Sequence, residues 1–190
     1  MQKRHRIFIA INLPEDIKKE LSKYQKKWEQ LPAKWTNKDN LHITLEFLGN
    51  LTDEELGEIC LVVKEAATKH ASFSINLSRV IYGPLGKMPP KMIWAEGEKS
   101  EELRDLKKDL REYLLEKVRY RPELGRGFMP HITLARISEW EFRKIELEER
   151  PEVNEDIDFI VPVESIEVME SELKRGGPVY TILESHQLGE

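Results

Sequence analysis

The tetrapeptide His-Ile-Thr-Leu occurs twice in this 190-residue chain, at 42–45 and at 131–134. An identical tetrapeptide pair arises by chance in about one of ten chains this long, so repetition alone is a modest signal. The surroundings sharpen it. Each copy lies in a strand-like run, Leu41 to Leu48 and His131 to Ile137, and each is reached after a helix and a loop. Side chains alternate along a strand, so His42 and Thr44 share one face while Ile43 and Leu45 take the other. The same holds for His131 and Thr133 against Ile132 and Leu134. An apolar face anchors each strand in a core and pushes imidazole and hydroxyl out together. A fold of two related halves would set these polar faces across a cleft.

Strands and helices alternate along the rest of the chain. Arg6 to Leu13 reads as a strand buried on both faces. Pro14 opens a helix whose apolar stripe is Ile17, Leu21, Tyr24 and Trp28. Thr52 with Glu55 forms a capping box for a helix that buries Leu56, Ile59, Val63 and Ala66. Phe73 to Tyr82 and Lys91 to Glu96 are predicted strands. Ser100 caps a long helix carrying Leu103, Leu106, Leu110 and Leu114, and a loop with Gly125 and Gly127 leads to the second motif. Ser138 to Pro151 reads as a short helix and an exposed connection. Val161 to Glu170 and Val179 to Ser185 are the final predicted strands, joined through Gly176-Gly177. No linker divides the chain, so residues 1–190 are expected to form one domain of two lobes.

Composition restricts the partners. A net charge of −5 gives no general pull toward nucleic acid, so an RNA ligand would have to be held at one or a few phosphates. The lone cysteine, Cys60, excludes an intrachain disulfide and a cysteine-based zinc site, and reads as a core thiol. The apolar run from Ile7 to Leu13 is too short for a membrane span and has no signal-peptide cleavage pattern. A cytoplasmic monomer without a membrane or an obligate protein partner is the expectation.

Two opposed imidazoles suit phosphodiester chemistry, because histidine titrates near neutral pH. A neutral ring can take a proton from water while a protonated one gives a proton to the leaving oxygen. Threonine hydroxyls can donate to non-bridging phosphate oxygens, and the scheme needs no metal or cofactor. A histidine alone on a strand is more often structural than catalytic; two in matched motifs reverse that balance. Of the other histidines, His5 reads as a solvated terminal residue, and His70 and His186 as structural or exposed. Trp28 and Trp94 read as core. Trp35 and Phe128, in less regular segments, are candidates for stacking on a nucleobase, and Lys87 and Lys91 read as solvated charge.

The two His-x-Thr-x motifs, the first followed by Phe47-Leu48-Gly49 and the second flanked by Pro130 and Arg136, resemble the 2H phosphoesterases. The branch most resembled is the RNA 2′,3′-cyclic phosphodiesterases, historically 2′-5′ RNA ligases. The likeness extends to Arg6–Pro14, Asn40–Gly49, Ile93-Trp94-Ala95 and Gly177–Tyr180. It implies a bilobal α+β fold with pseudo-two-fold symmetry, in which two antiparallel sheets flank a central cleft with helices outside. It implies hydrolysis of RNA 2′,3′-cyclic phosphate ends to 2′-phosphomonoesters, with His42 the proton donor and His131 the acceptor, roles the sequence would equally allow to be exchanged. Thr44, Thr133 and Arg136 would hold the phosphate, and Ser171 and Tyr180 would border the cleft. Ligation through a 2′,5′ linkage would be the same reaction with an RNA hydroxyl in place of water. Strict alternation from His131 puts Arg136 on the core face, so the strand must end or bulge near Ala135, or the side chain must reach round. Two alternatives stand beside this reading: a related enzyme for small cyclic nucleotides, 2′,5′-oligonucleotides or ADP-ribose cyclic phosphate, and a non-catalytic RNA-binding module.

Overall fold

The computed structural model describes residues 4–122 and 128–189. The strand β1 (His5–Asn12) runs into α1 (Glu15–Ser22) and a short α2 (Tyr24–Lys27). The expected single helix is thus broken at Lys23, and Trp28 is buried from just beyond α2 instead of on a continuous stripe. Next come β2 (Ala33–Trp35), a 3-10 turn at Lys38–Asn40, β3 (His42–Leu51) and α3 (Asp53–Ala67). The capping box at the start of α3 is complete: the Glu55 amide donates to Thr52 Oγ1, and the Thr52 amide donates to the Glu55 carboxylate at 2.8 Å. The strands β4 (Phe73–Gly83) and β5 (Met92–Gly97) precede α4 (Glu101–Lys117), which buries Leu103, Leu106, Leu110 and Leu114. The second motif opens β6 (His131–Ile137), followed by α5 (Glu139–Arg143) and a 3-10 turn at Leu147–Glu149. The chain ends in β7 (Asn154–Val163), β8 (Ser165–Lys174) and β9 (Gly177–Gln187). Two strands therefore occupy the stretch where one was expected from Val161 to Glu170.

All strand pairing is antiparallel, in the order β7-β4-β5-β6-β3-β1-β8-β9, with β2 paired to β6. Between β3 and β6 the ladder is reduced to one pair, Ile43 with Ile132. That pair is a seam between the two halves of one nine-stranded sheet. Outward from it, β3, β1, β8 and β9 on one side answer to β6, β5, β4 and β7 on the other. The result is the α+β, pseudo-two-fold antiparallel arrangement that the family resemblance implies.

One face of both sheets carries the core. Ile7, Ile9, Ile11, Ile43 and Leu45 of the first half and Ile93, Ala95, Ile132 and Leu134 of the second pack with the apolar faces of α3 and α4 in one buried cluster. The opposite face of the first sheet holds a small separate cluster of Phe8, Ala10 and Met169, with Tyr180 against it. Among the described residues no helix is long and apolar enough to cross a membrane.

His5 departs from expectation. It is buried, its Nδ1 2.6 Å from Glu170 Oε1 and its Nε2 2.9 Å from Asp53 Oδ1. It ties β1 to the start of α3 and to β8, so it is a structural residue and not a solvated terminus. His70 and His186 also meet carboxylates, those of Asp109 and Glu184.

Candidate active site

The seam decides where the motifs meet. Because Ile43 faces Ile132 in antiparallel sense, His42 falls on the Thr133 side and Thr44 on the His131 side. Both isoleucines are fully buried, and the four polar residues lie on the opposite face, each half-buried.

Each imidazole is oriented in the same way, by the backbone two residues before it. His42 Nδ1–H donates to the Asn40 carbonyl at 2.7 Å, and His131 Nδ1–H donates to the Met129 carbonyl at 2.9 Å. A carbonyl only accepts, so each neutral ring keeps its proton on Nδ1 and presents a bare Nε2. The Thr44 hydroxyl lies 2.9 Å from His42 Nε2 and donates to it in that state.

Aromatic rings support both imidazoles. Trp94 stacks on His131 at 4.0 Å between centroids, and Phe8 and Tyr180 pack on His42 at 5.0 and 5.2 Å. Trp94 was expected in the core. The register instead places it opposite Thr133, with Met92 opposite Arg136, on the histidine face. Alternation along Lys91 to Glu96 was the available signal, since it sets Trp94 opposite to Ile93 and Ala95. Tyr180, expected at the cleft border, is in contact with His42; Ser171 is its register partner across β8 and β9.

Arg136 reaches this face through a β-bulge. Met92 pairs with Arg136 and Ile93 with Ala135, but Trp94 pairs with Thr133, leaving Leu134 as the extra residue. Leu134 and Ala135 are consequently both buried and Arg136 is exposed in phase with His131 and Thr133. The first motif carries the same device: Ile9 pairs with Glu46 and Ala10 with Thr44, so Leu45 is extra and Phe47 takes the place that Arg136 has in the second half.

The two histidines differ in their electrostatic surroundings. Burial pushes the His42 imidazolium down to about 4, with Lys18, His131 and Arg136 adding repulsion against the bond to Asn40. Burial also lowers His131, but Glu96, its register partner across β5 and β6, works against that shift. Lys18 is buried on α1, and its own proton affinity is lowered by that burial.

The two residues expected to stack on a base have contacts of their own within the protein. The Trp35 side chain packs against the core, and its strand partner is the buried Ala135. The Phe128 ring lies beneath the Lys107 ammonium, 4.3 Å away, on the α4 side. Lys91 sits 3.4 Å from Glu139. The loop with Gly125 and Gly127 falls outside the described residues.

A family profile described as LigT like Phosphoesterase matches this chain twice, over residues 11–94 and 93–180, once around each motif. The RNA 2′,3′-cyclic phosphodiesterase of Methanocaldococcus jannaschii is 30% identical over 183 residues, spanning 94% of this chain and 98% of its own. That of Thermus thermophilus is 33% identical over 192 residues, spanning 96% and 90%. The crystal structure of TT0787 from Thermus thermophilus superposes with a TM-score of 0.81 at 34% identity, over 97% of this chain and 99% of that one. Escherichia coli LigT, solved in complex with 3′-AMP, shares the fold at a TM-score of 0.77 and 24% identity, over 99% and 100%. With a duplicated match that brackets both motifs and relatives spanning nearly its whole length, the chain belongs to the LigT-like phosphoesterase family.

Proposed function

We propose that this protein hydrolyses 2′,3′-cyclic phosphate ends of RNA to 2′-phosphomonoesters, with His42 and His131 as the acid–base pair. The observation that carries the reading is the mirrored orientation of the two rings, each fixed through Nδ1 and offering Nε2 to one face. Water loses a proton to one Nε2 as its oxygen bonds to phosphorus. The bond from phosphorus to the 3′ oxygen breaks, and the other ring, protonated, supplies the proton that makes it a hydroxyl. Thr44, Thr133 and Arg136 hold the non-bridging oxygens as their charge grows. An RNA 5′ hydroxyl in place of water would give a 2′,5′ linkage by the same steps. The names of the relatives in Methanocaldococcus jannaschii and Thermus thermophilus support this substrate over small cyclic nucleotides.

The family resemblance makes His42 the donor. The charges favour the exchanged roles in the free protein, because Glu96 draws a proton toward His131 while Lys18 and Arg136 drive it from His42. A cyclic phosphate with sulfur at the bridging 3′ position separates the two, since the thiolate leaves without protonation. The acid's alanine variant regains activity on it and the base's does not.

The primary test offers RNA ending in a 2′,3′-cyclic phosphate, with EDTA present, and identifies the product by mass and phosphate position. The expected product is the 2′-monoester, and His42→Ala and His131→Ala are each expected to lose about 10²- to 10⁴-fold in kcat. Full activity in either variant would sink the mechanism.

A further inference from the structure

Acidic residues outnumber basic ones 35 to 30 in this protein, and most cations near the site face or α4 have a carboxylate partner. Lys107 and Arg111 bind Glu46, Arg104 binds Asp105, Lys108 sits by Glu112, Lys38 by Glu15 and Lys91 by Glu139. Two neighbouring cations on the histidine face do not follow the pattern. Lys34 on β2 and Arg136 on β6 are register partners, both exposed, and no carboxylate among the described residues pairs with either. Partners in an antiparallel ladder share a face, about 5 Å apart at Cα. The bulge that brings Arg136 to the histidine face therefore brings Lys34 with it.

The lysine also reaches across the site. A Cβ on Gly177, at the start of β9, would lie 3.1 Å from Lys34 Nζ and 3.5 Å from its Cε. Gly177 has φ +124°, which favours glycine, and the ammonium occupies the space its missing side chain leaves. The same hairpin places the Pro178 carbonyl on Asn40 Nδ2 at 2.7 Å and the Tyr180 ring edge-on to His42. Lys34 thus stands where the second half of the molecule meets the end of the site formed by the first.

We propose that Lys34, beside Arg136, is a second phosphate subsite that reads the phosphate on the 5′ oxygen of the terminal nucleoside. This deepens the reading of the site given above and rests on it. In the terminal nucleotide of such an RNA end the cyclic phosphate consumes the 2′ and 3′ oxygens, so the only other phosphate it carries is on the 5′ oxygen. An ammonium with no carboxylate partner among the described residues, one strand-spacing beyond Arg136, gives that phosphate a partner. It separates an RNA end from a lone cyclic nucleoside phosphate. Lys34 is a specificity residue and takes no part in proton transfer.

The test compares a nucleoside 2′,3′-cyclic phosphate, the same compound bearing a 5′-phosphate, and a dinucleotide ending in the cyclic phosphate. Each is assayed with the native protein, Lys34→Gln and Lys34→Arg. Lys34→Gln is expected to lose about tenfold in kcat/KM on the two substrates with a second phosphate and less than about twofold on the bare one, with kcat little changed. Lys34→Arg is expected to retain the preference. A loss confined to the dinucleotide, or to the 5′-monoester, assigns the subsite to the internal diester or to the free nucleotide respectively. Equal loss on all three substrates, or none, overturns the subsite while leaving the reaction in place. If the native protein turns over none of them, the reading of the site fails and the subsite with it.

Discussion

At the scale of single residues, the controlling quantity is where one proton sits on a pair of imidazoles. Both rings are shifted below the ordinary histidine value of 6.5, His42 to about 4, chiefly because burial penalises the charged ring. The productive free enzyme carries one proton on the pair, so its population is greatest between the two titrations and falls about tenfold per pH unit above both. We therefore expect kcat/KM to peak below about pH 6.5 and to decline with unit slope on the alkaline side. In kcat the alkaline limb should move up, because a bound phosphate anion favours the imidazolium. A pH–rate profile in which kcat/KM peaks above about pH 7.5 would contradict this electrostatic account. The histidines and threonines were legible in the sequence because alternation depends only on local order. Their charged surroundings were not: Lys18, Glu96 and Arg136 come near the histidines through sheet register and helix packing, which no local pattern encodes. His5 shows the same limit, since its two carboxylates lie 48 and 165 residues away.

The paired bulges are what a residue-by-residue reading of the strands leaves out at the scale of elements. In β3 and in β6 the extra residue is the leucine of the tetrapeptide, and the phase of the strand reverses after it. The sequence posed this as a conflict over Arg136, and the bulge answers it with a shift of one residue. The strand β2 went unread because three residues carry no usable periodicity, and the end of β7 was read with β8 because only Glu164, and no glycine, separates them. The long helices α3 and α4 were legible because a sustained apolar stripe and a capping side chain agree.

Trp94 belongs to this scale too, since it is held between two elements. It stacks on His131 from β5, while β4 gives it room at Gly83, where a Cβ would stand 2.2 Å from the indole Cδ2. A fused ring flanked by strands has little freedom to yield. Gly83→Ala is therefore expected to push Trp94 toward His131 and reduce kcat by about tenfold or more, the scale of loss that a misplaced catalytic group produces. Gly57→Ala, on α3 where nothing lies within 4 Å, is the control and should keep full activity. Equal activity of both variants would show that His131 is placed without Trp94.

At the scale of the whole molecule, β3 and β6 meet at one residue pair, so the shared core and contacts beyond that seam must hold the halves in register. Glu46 makes one such contact. The residue lies in β3 directly after the bulge, 4% exposed, and the side chains that bind it come from the second half. Lys107 Nζ is 2.7 Å from Oε1, Arg111 approaches the same oxygen at 2.9 Å and 3.1 Å, and the Tyr120 hydroxyl donates to Oε2. Lys107 also donates to the Leu45 carbonyl, within the bulge itself. Burial alone would raise the Glu46 carboxyl, but Lys107, Tyr120 and Arg111 together hold it below its ordinary value. Replacing it with leucine removes the carboxylate that a largely buried ammonium, a guanidinium and a phenol share, a loss of about 3 kcal/mol in unfolding free energy at neutral pH. The sign of the pH dependence follows from the lowered titration. The contribution is complete above the ordinary carboxylate value and disappears as pH falls through the lowered one. Urea unfolding of the native protein and Glu46→Leu should therefore differ most near neutral pH and draw together as pH falls below the ordinary carboxylate range. A difference that stays constant over that range would mean that Glu46 stabilises by packing and that the joint between the halves does not depend on its charge.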